Sequence, residues 1–240
     1  MPHLNAAVLD VRSLDQPVRD AMFALFSRHY EGTSKQRFEE DLTEKDSVIL
    51  LRDDTGKVCG FSTLVTFPIR HEGRDMLIVF SGDTIIERAH WGSQTFAYTW
   101  IRHIGKLARQ VPDVPLFWLL IVKGHRTYRY LPAFGLRFVP DWRGKQDSRL
   151  MNLRNAIAAV RFGGNYDANT GLVRHAPSQG HLTAEFAGIS ERERKRADVA
   201  YFLQCNPGYA RGDELVCLCE LSTDNMRPLT RRLFVQGMGE

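Results

Sequence analysis

Residues 93–110 carry the clearest periodic signal in the chain: Phe96, Ala97, Trp100, Ile101, Ile104, Leu107 and Ala108 recur at helical spacing along one stripe. A stripe of that width needs an apolar partner surface. Pro112 and Pro115 bracket a break after it, and residues 116–122 form a continuous apolar run that suits a strand buried on both faces. Before the helix, residues 76–86 read as another strand, interrupted at Ser81-Gly82-Asp83, where a glycine inside a strand marks a bulge. Strand, helix and strand make a crossover unit, expected to be right-handed.

The segments before this unit extend the sheet. Residues 6–11 read as a strand, and Asp15 and Pro17 then open a helix in which Val18, Met22, Leu25 and Phe26 share a face. Phe38 and Leu42 do the same in a second helix over residues 34–45. Residues 47–52 and 58–69 form a hairpin about the turn residues Asp53 to Gly56, and a turn at Glu72-Gly73-Arg74 leads into the strand at 76–86, giving three antiparallel strands. After the crossover, residues 126–134 are a short helix that Pro132 must shorten or kink, Gly135 can end it, and residues 136–139 enter a further strand.

Composition excludes several classes. With 43% hydrophobic and 25% charged residues, the chain can build a globular core. Its apolar runs are far shorter than the ~20 residues of a membrane helix, and residues 1–10 lack a basic region followed by an apolar stretch. A cytoplasmic protein without a membrane span is expected. The formal charge of +4 is scattered apart from residues 192–196, where both signs alternate at helical spacing around Glu193 without interleaved aromatics. That run reads as a salt-bridged solvent face, which disfavours nucleic acid as a partner.

The element order and two local stretches resemble the N-acetyltransferase (GNAT) superfamily over roughly the first three fifths of the chain. The stretch Ile85-Ile86-Glu87-Arg88-Ala89-His90-Trp91-Gly92-Ser93-Gln94 is similar to the family's strand-to-helix loop, with Gly92 the one glycine retained. Thr127-Tyr128-Arg129-Tyr130-Leu131-Pro132-Ala133-Phe134-Gly135-Leu136 resembles its later segment, in which a tyrosine shortly precedes Leu-Gly-Phe. The resemblance implies an α/β (α+β) fold, with a mixed, mostly antiparallel central sheet flanked by helices. Residues 1–145 would be the acyltransferase domain, and residues 146–240 an extension packed on the sheet or forming a lid over the acceptor site.

The same resemblance implies an acyl-CoA-dependent N-acyltransferase, with acyl-CoA, or an acyl carrier protein, as donor and an amine-bearing small molecule as acceptor. Acyl-CoA is then a co-substrate, and no permanently bound cofactor is expected. Backbone of Thr84, Ile85 and Ile86 would pair with the pantetheine arm, opposite residues 119–123. Amides of His90, Trp91, Gly92, Ser93, Gln94 and Thr95 at a helix start, with the Arg88, Ser93 and Thr95 side chains, would hold the pyrophosphate. An amine must shed a proton as it attacks, so a base is needed. Asp83, beside the bulge, is the first candidate and Glu87 the second. A phenol can protonate the leaving thiolate, and Tyr130 is preferred over Tyr128 for that role.

Alternatives from other classes are a non-catalytic acyl-CoA-binding or assembly module, and a thioester hydrolase or decarboxylase on the same fold. Metal chemistry is not indicated. Cys217 and Cys219 would share one face of a strand with no histidine to complete a set, and His71, His90, His103 and His125 show no zinc-type spacing. His125 follows a strand end in the cleft region, where it could also contact substrate.

Overall fold

The computed structural model describes residues 4–240. Met1 to His3, part of the stretch read for a leader, lie outside the described residues.

A β-strand, β1 (Asn5–Asp10), leads to helix α1 (Gln16–His29), whose first turn is closed by the Asp15 carboxylate accepting from the Val18 amide at 2.9 Å. A two-residue strand, β2 (Tyr30–Glu31), connects to α2 (Lys35–Thr43), capped in turn by the Ser34 hydroxyl. The strands β3 (Ser47–Arg52), β4 (Val58–His71) and β5 (Arg74–Ile86) form the expected antiparallel set, with β1 added antiparallel on its edge. Helix α3 (Thr95–Gln110) then crosses over to β6 (Leu116–Val122), which pairs parallel with β5.

Pro132 has the foreseen effect. The chain after β6 forms two short helices, α4 (His125–Tyr128) and α5 (Tyr130–Phe134), broken at Arg129. Pro132 falls in the first turn of α5, where a missing N–H goes unneeded. Strand β7 (Phe138–Val139) and helix α6 (Ser148–Phe162) follow, then the short strands β8 (Tyr166–Asp167), β9 (Leu172–Val173) and β10 (His181–Leu182). Helices α7 (Ala184–Ala187), α8 (Glu191–Arg194) and α9 (Ala197–Cys205) lead to β11 (Glu214–Glu220), and α10 (Pro228–Gly239) follows it.

Strand order in the main sheet is β1-β3-β4-β5-β6-β11-β9-β8, with β7 pairing β11, and β5–β6 is its parallel pair. Residues after 145 therefore contribute to the centre of the sheet: β11 pairs with β6 from Leu215 opposite Val122 to Glu220 opposite Phe117. Because strand side chains alternate, β6 feeds both faces. Trp118 and Leu120 join the core beneath α3 and α10, whereas Phe117 and Leu119 join that beneath α6. A third cluster, including Met22, Leu25, Phe38, Leu50 and Phe61, seats α1 and α2 on the latter side of the sheet. No helix among the described residues is long and apolar enough to cross a membrane.

Candidate active site

Two irregularities in β5 shape the site. Along β4, Ser62 faces Thr84 but Leu64 faces Ser81, so Gly82 and Asp83 together oppose Thr63, which is the bulge anticipated from the sequence. Space is tight at its first position: a Cβ on Gly82 would lie 2.5 Å from the Thr63 hydroxyl and 2.9 Å from Cε of Lys45, so both side chains would have to shift to admit one. The second irregularity is on the other edge. Pairing of β5 with β6 ends at Ser81 opposite Leu120, so residues 82–86 run on with no strand beside them and the two strands part.

The gap opens onto a narrow cleft on the α3 side, lined by Ser62, Gly82, Thr84, Phe96, Ile121 and Tyr130 among others. Thr84 and Ser62 exchange a hydroxyl hydrogen bond of 2.7 Å, and the Trp118 indole donates to the Ser81 hydroxyl at 2.9 Å. These bonds fix the polar floor of an otherwise aromatic groove.

Asp83 lies outside that lining, among groups from other elements. Burial, with the Asp41 charge second, pushes its carboxyl up to about 7, against the opposing pull of Lys123 and Lys45 and with Glu214 adding to the rise. Tyr30 belongs to the same group: its hydroxyl is raised by burial and by the Asp83 charge, and Lys123 Nζ stands 5.3 Å from its ring centre. Lys45 is almost wholly buried and bonds Asp41 at 2.6 Å, while Lys123 bonds Glu214 at 3.3 Å. The site thus sets a carboxyl raised toward neutrality beside a gap in the sheet.

Glu87 stands elsewhere. Its carboxylate is bound by Arg28 at 2.6 Å and Lys57 at 3.1 Å, so it is neutralised and turned from the cleft. Cys59, Glu87 and His90 present ligand atoms within 4.8 Å of one another, yet the two cations already on Glu87 oppose a third positive charge there.

The two tyrosines part company at Arg129. Tyr130 lines the cleft, and burial holds its hydroxyl above the ordinary phenol range, so it stays protonated. Tyr128 is completely buried and donates to the Pro140 carbonyl at 2.8 Å. It does not reach the cleft. Tyr128→Phe should therefore cost about 1–2 kcal/mol of stability by orphaning that carbonyl, measured by urea unfolding, and leave any catalytic rate intact.

At the start of α3 the amide donors are distributed differently from the span His90 to Thr95. A single 3₁₀ turn, Arg88–His90, consumes several of them: the amides of His90, Trp91 and Ser93 bond the carbonyls of Glu87, Arg88 and His90, and Thr95 bonds the Ser93 hydroxyl. Among the described residues, the amides of Gly92, Gln94, Phe96 and Ala97 have no protein acceptor. The anion-binding potential of the helix start thus sits partly one turn further in. Gly92 has a φ of +92° with open space around it. Of the preceding strand residues, Thr84 faces the cleft, Ile85 packs into the α1–α2 core, and the carbonyl of Ile86 accepts from the Trp91 indole at 2.9 Å.

Beside this loop lies a segment whose part sequence reasoning misses. Phe186 of α7 stacks on His29 at 4.0 Å and meets Trp91 edge-on, while Arg126 covers Trp91 at 4.6 Å and donates to the Phe186 carbonyl. Arg88 pairs with Glu185 at 3.1 Å, and β10 pairs with β2. His125 is held by Glu193 at 3.2 Å rather than presented to the cleft. The available signal is in residues 181–187, a short apolar cluster in a polar stretch, but it has no period to betray a partner.

No family model matches the sequence, and no curated protein matches it. Among solved structures, the chain is similar to a probable N-acyltransferase of Enterococcus faecalis at 15% identity, with 57% of this chain and 33% of that one covered and a TM-score of 0.41. It spans about a third of that protein's length. A GNAT family N-acetyltransferase of Escherichia coli, YhbS, in complex with CoA, is 18% identical over 57% of this chain and 72% of its own, with a TM-score of 0.39. An acetyltransferase of Trypanosoma brucei is 13% identical over 53% and 88% of the two chains, with a TM-score of 0.36. Within this chain's own strand order, the antiparallel run into β5, the α3 crossover and the parting of β5 from β6 build a mixed, mostly antiparallel α/β sheet flanked by helices.

Proposed function

We propose that the protein transfers an acyl group from acyl-CoA, or from an acyl carrier protein, to an amine on a small molecule by direct attack on the thioester. The observation that carries this reading is the gap between β5 and β6: an aromatic-lined cleft lies to one side, and Asp83 to the other. Thr84 and the edge of β5 that parts from β6 after Ser81 would hold the pantetheine arm, and the free amides at the start of α3 would hold the pyrophosphate.

Bond making and breaking are balanced by two groups of this chain. As the amine nitrogen bonds to the thioester carbon, Asp83 accepts its proton directly or through a water, and the Tyr130 hydroxyl donates a proton to the departing sulfur. Positioning of donor and acceptor across the gap supplies the rest of the acceleration. Residues 181–187, whose β10 pairs with β2 at Tyr30 in the group around Asp83, would limit access on the acceptor side.

The test is thiol release from a panel of acyl-CoAs with and without amines, alongside melting curves. A complete lack of effect of CoA and its thioesters on melting, with no thiol release, would overturn the proposal. Trp91, by occupying the Ile86 carbonyl, favours as a second reading a binding module that holds acyl-CoA without turnover; stabilisation without thiol release would select it. Gly92→Val should raise the Kd for CoA at least tenfold by calorimetry while leaving the fold intact, because the positive φ puts strain of about 1–3 kcal/mol into the loop alone. An unchanged Kd would move the donor site elsewhere.

Tyr130→Phe is expected to lower kcat about 10–100-fold with little change in KM, since the hydroxyl acts on the departing sulfur and its ring still fills the groove. Steady-state kinetics with a single acyl-CoA decides this. A proportional rise in KM instead would make Tyr130 a binding residue.

A further inference from the structure

The run at residues 191–196 does not form the self-neutralised face that its alternating signs predict. Glu193 turns inward instead. One of its carboxylate oxygens accepts from the Ser190 amide and hydroxyl at 2.9 and 2.7 Å, and the other faces His125 at 3.2 Å and Arg126 at 3.5 Å. The next acid, Asp198, is buried and is shared by Arg196 at 3.0 Å and Arg129 at 3.5 Å. Arg192, Arg194 and Lys195 are therefore left exposed, with no carboxylate at ion-pair distance among the described residues. Their place is beside the donor end of the cleft. Arg126, which ties α8 to α4 through Glu193, also covers Trp91 of the loop before α3 at 4.6 Å, and its neighbour Thr127 lines the cleft.

Resting on the acyl-transfer reading above, we propose that the donor arrives on an acidic acyl carrier protein, which docks on the cationic face of α8 and Lys195 and feeds its phosphopantetheine into the cleft. CoA brings a pyrophosphate and a ribose phosphate, whereas a carrier's arm brings a single phosphodiester. The start of α3 has lost the amides of His90, Trp91 and Ser93 to its own turn and loop contacts, and the amides that remain suit the single phosphate. The unpaired cations outside the cleft then meet carboxylates on the carrier itself, where charge complementarity sets both orientation and encounter rate. Nucleic acid fits this face less well, because no aromatic side chain on which a base could stack is interleaved over residues 190–200. After transfer the thiol stays on the carrier, which leaves as a whole.

The whole chain is titrated with a labelled, acidic acyl carrier protein in its phosphopantetheine-bearing form, and separately with CoA and with a single-stranded RNA. The carrier should bind, and raising the salt from about 0.05 to about 0.5 M should weaken it about tenfold or more, as pairing between exposed charges requires. Combining Arg192→Glu, Arg194→Glu and Lys195→Glu should raise the carrier's Kd about tenfold or more while the Kd for CoA stays within about twofold. The same three positions changed to Gln keep the test decisive if charge reversal unfolds α8. Loaded with one acyl group, the carrier should be used with a kcat/KM about tenfold or more above that of the matching acyl-CoA. Binding of CoA but not the carrier, carrier binding that ignores the substitutions, a Kd for CoA that rises in parallel, RNA bound in the carrier's place, or a preference for acyl-CoA as donor would each overturn the docking surface and leave the acyl-transfer reading standing. Failure of both carrier and CoA to bind would instead remove that reading, and the inference with it.

Discussion

Asp83→Asn is expected to lower kcat/KM for acyl transfer by about 10²–10⁴-fold, the usual contribution of a general base, while the Kd for CoA stays within about twofold. The pH profile distinguishes this from a merely structural loss. A base acts when deprotonated, so the wild-type rate should rise with pH through about 7, where the carboxyl titrates, and that acid limb should vanish in the variant. Stability should move the opposite way. The unfolded carboxyl ionises near ~4, below its folded value of about 7. Between these values the folded state holds a proton that the unfolded state has lost, so the Asp83 contribution declines as pH rises through that window. Removing the charge should thus raise the Tm at pH 8 and leave it nearly unchanged at pH 4. A variant that loses activity and stability together at pH 8 would count against Asp83 as the base.

That combination, a stabilising substitution that abolishes turnover, follows from where the carboxyl is placed. The bulge brings Asp83 into a neighbourhood containing two other acids, Asp41 and Glu214, from α2 and β11. The lysines that offset them are already committed, Lys45 to Asp41 and Lys123 to Glu214. An ionised Asp83 is therefore incompletely compensated, and the site holds an electrostatic tension that an incoming ammonium or amine would relieve.

How far this can be read from the sequence varies with the range of the interactions. The runs at Ser47–Arg52 and Leu116–Val122 appear in the structure with the bounds their apolar composition gives, because continuous burial on both faces leaves no ambiguity of period. Helix α3 is legible from its stripe, and the bulge from Gly82, since both are local consequences of side-chain size. The surroundings of Asp83 are not local. Tyr30, Asp41, Lys45, Lys123 and Glu214 are scattered over almost the whole chain, and only the strand order draws them together. Nor can sequence order separate Tyr128 from Tyr130, whose fates are decided by the break at Arg129. The free amides coincide only in part with those the sequence puts forward, Gly92 and Gln94 within the expected span and Phe96 and Ala97 just past it, for a related reason: the 3₁₀ turn Arg88–His90 uses donors that an extended loop would leave open. Helix α10 is not foreseen at all. Pro228 at its start is a helix signal, but Gly237 and Gly239 weaken its propensity, and what Gly237 serves is visible only from across the interface.

Gly237→Val and Gly105→Val should each destabilise the protein by at least ~3 kcal/mol, near the upper end for overpacking. Both residues lie where α3 and α10 cross. A Cβ on Gly105 would overlap the carbonyl oxygen of Phe234, and one on Gly237 would overlap that of Arg102, so each helix meets the other backbone to backbone. These are not the flexible ends of side chains, which could move aside. Against this, replacing a helical glycine gains less than ~1 kcal/mol in propensity, so the collision decides the sign. Gly239, on the same helix, is the control: a Cβ there would meet nothing within 4 Å, and Gly239→Ala should change stability by less than ~0.5 kcal/mol. For a chain of 240 residues, a loss of ~3 kcal/mol corresponds to a Tm lower by about 6–12 °C. The consequence reaches the site, since α3 bears the free amides at its start and Trp100 of the cleft lining further along. Wedging α10 away should tilt α3 and weaken CoA binding in whatever fraction remains folded, read by calorimetry below the shifted melting point. Gly105→Val and Gly237→Val proteins that melt with the wild type would mean that the helices can separate without strain, and that α10 does not set the position of α3.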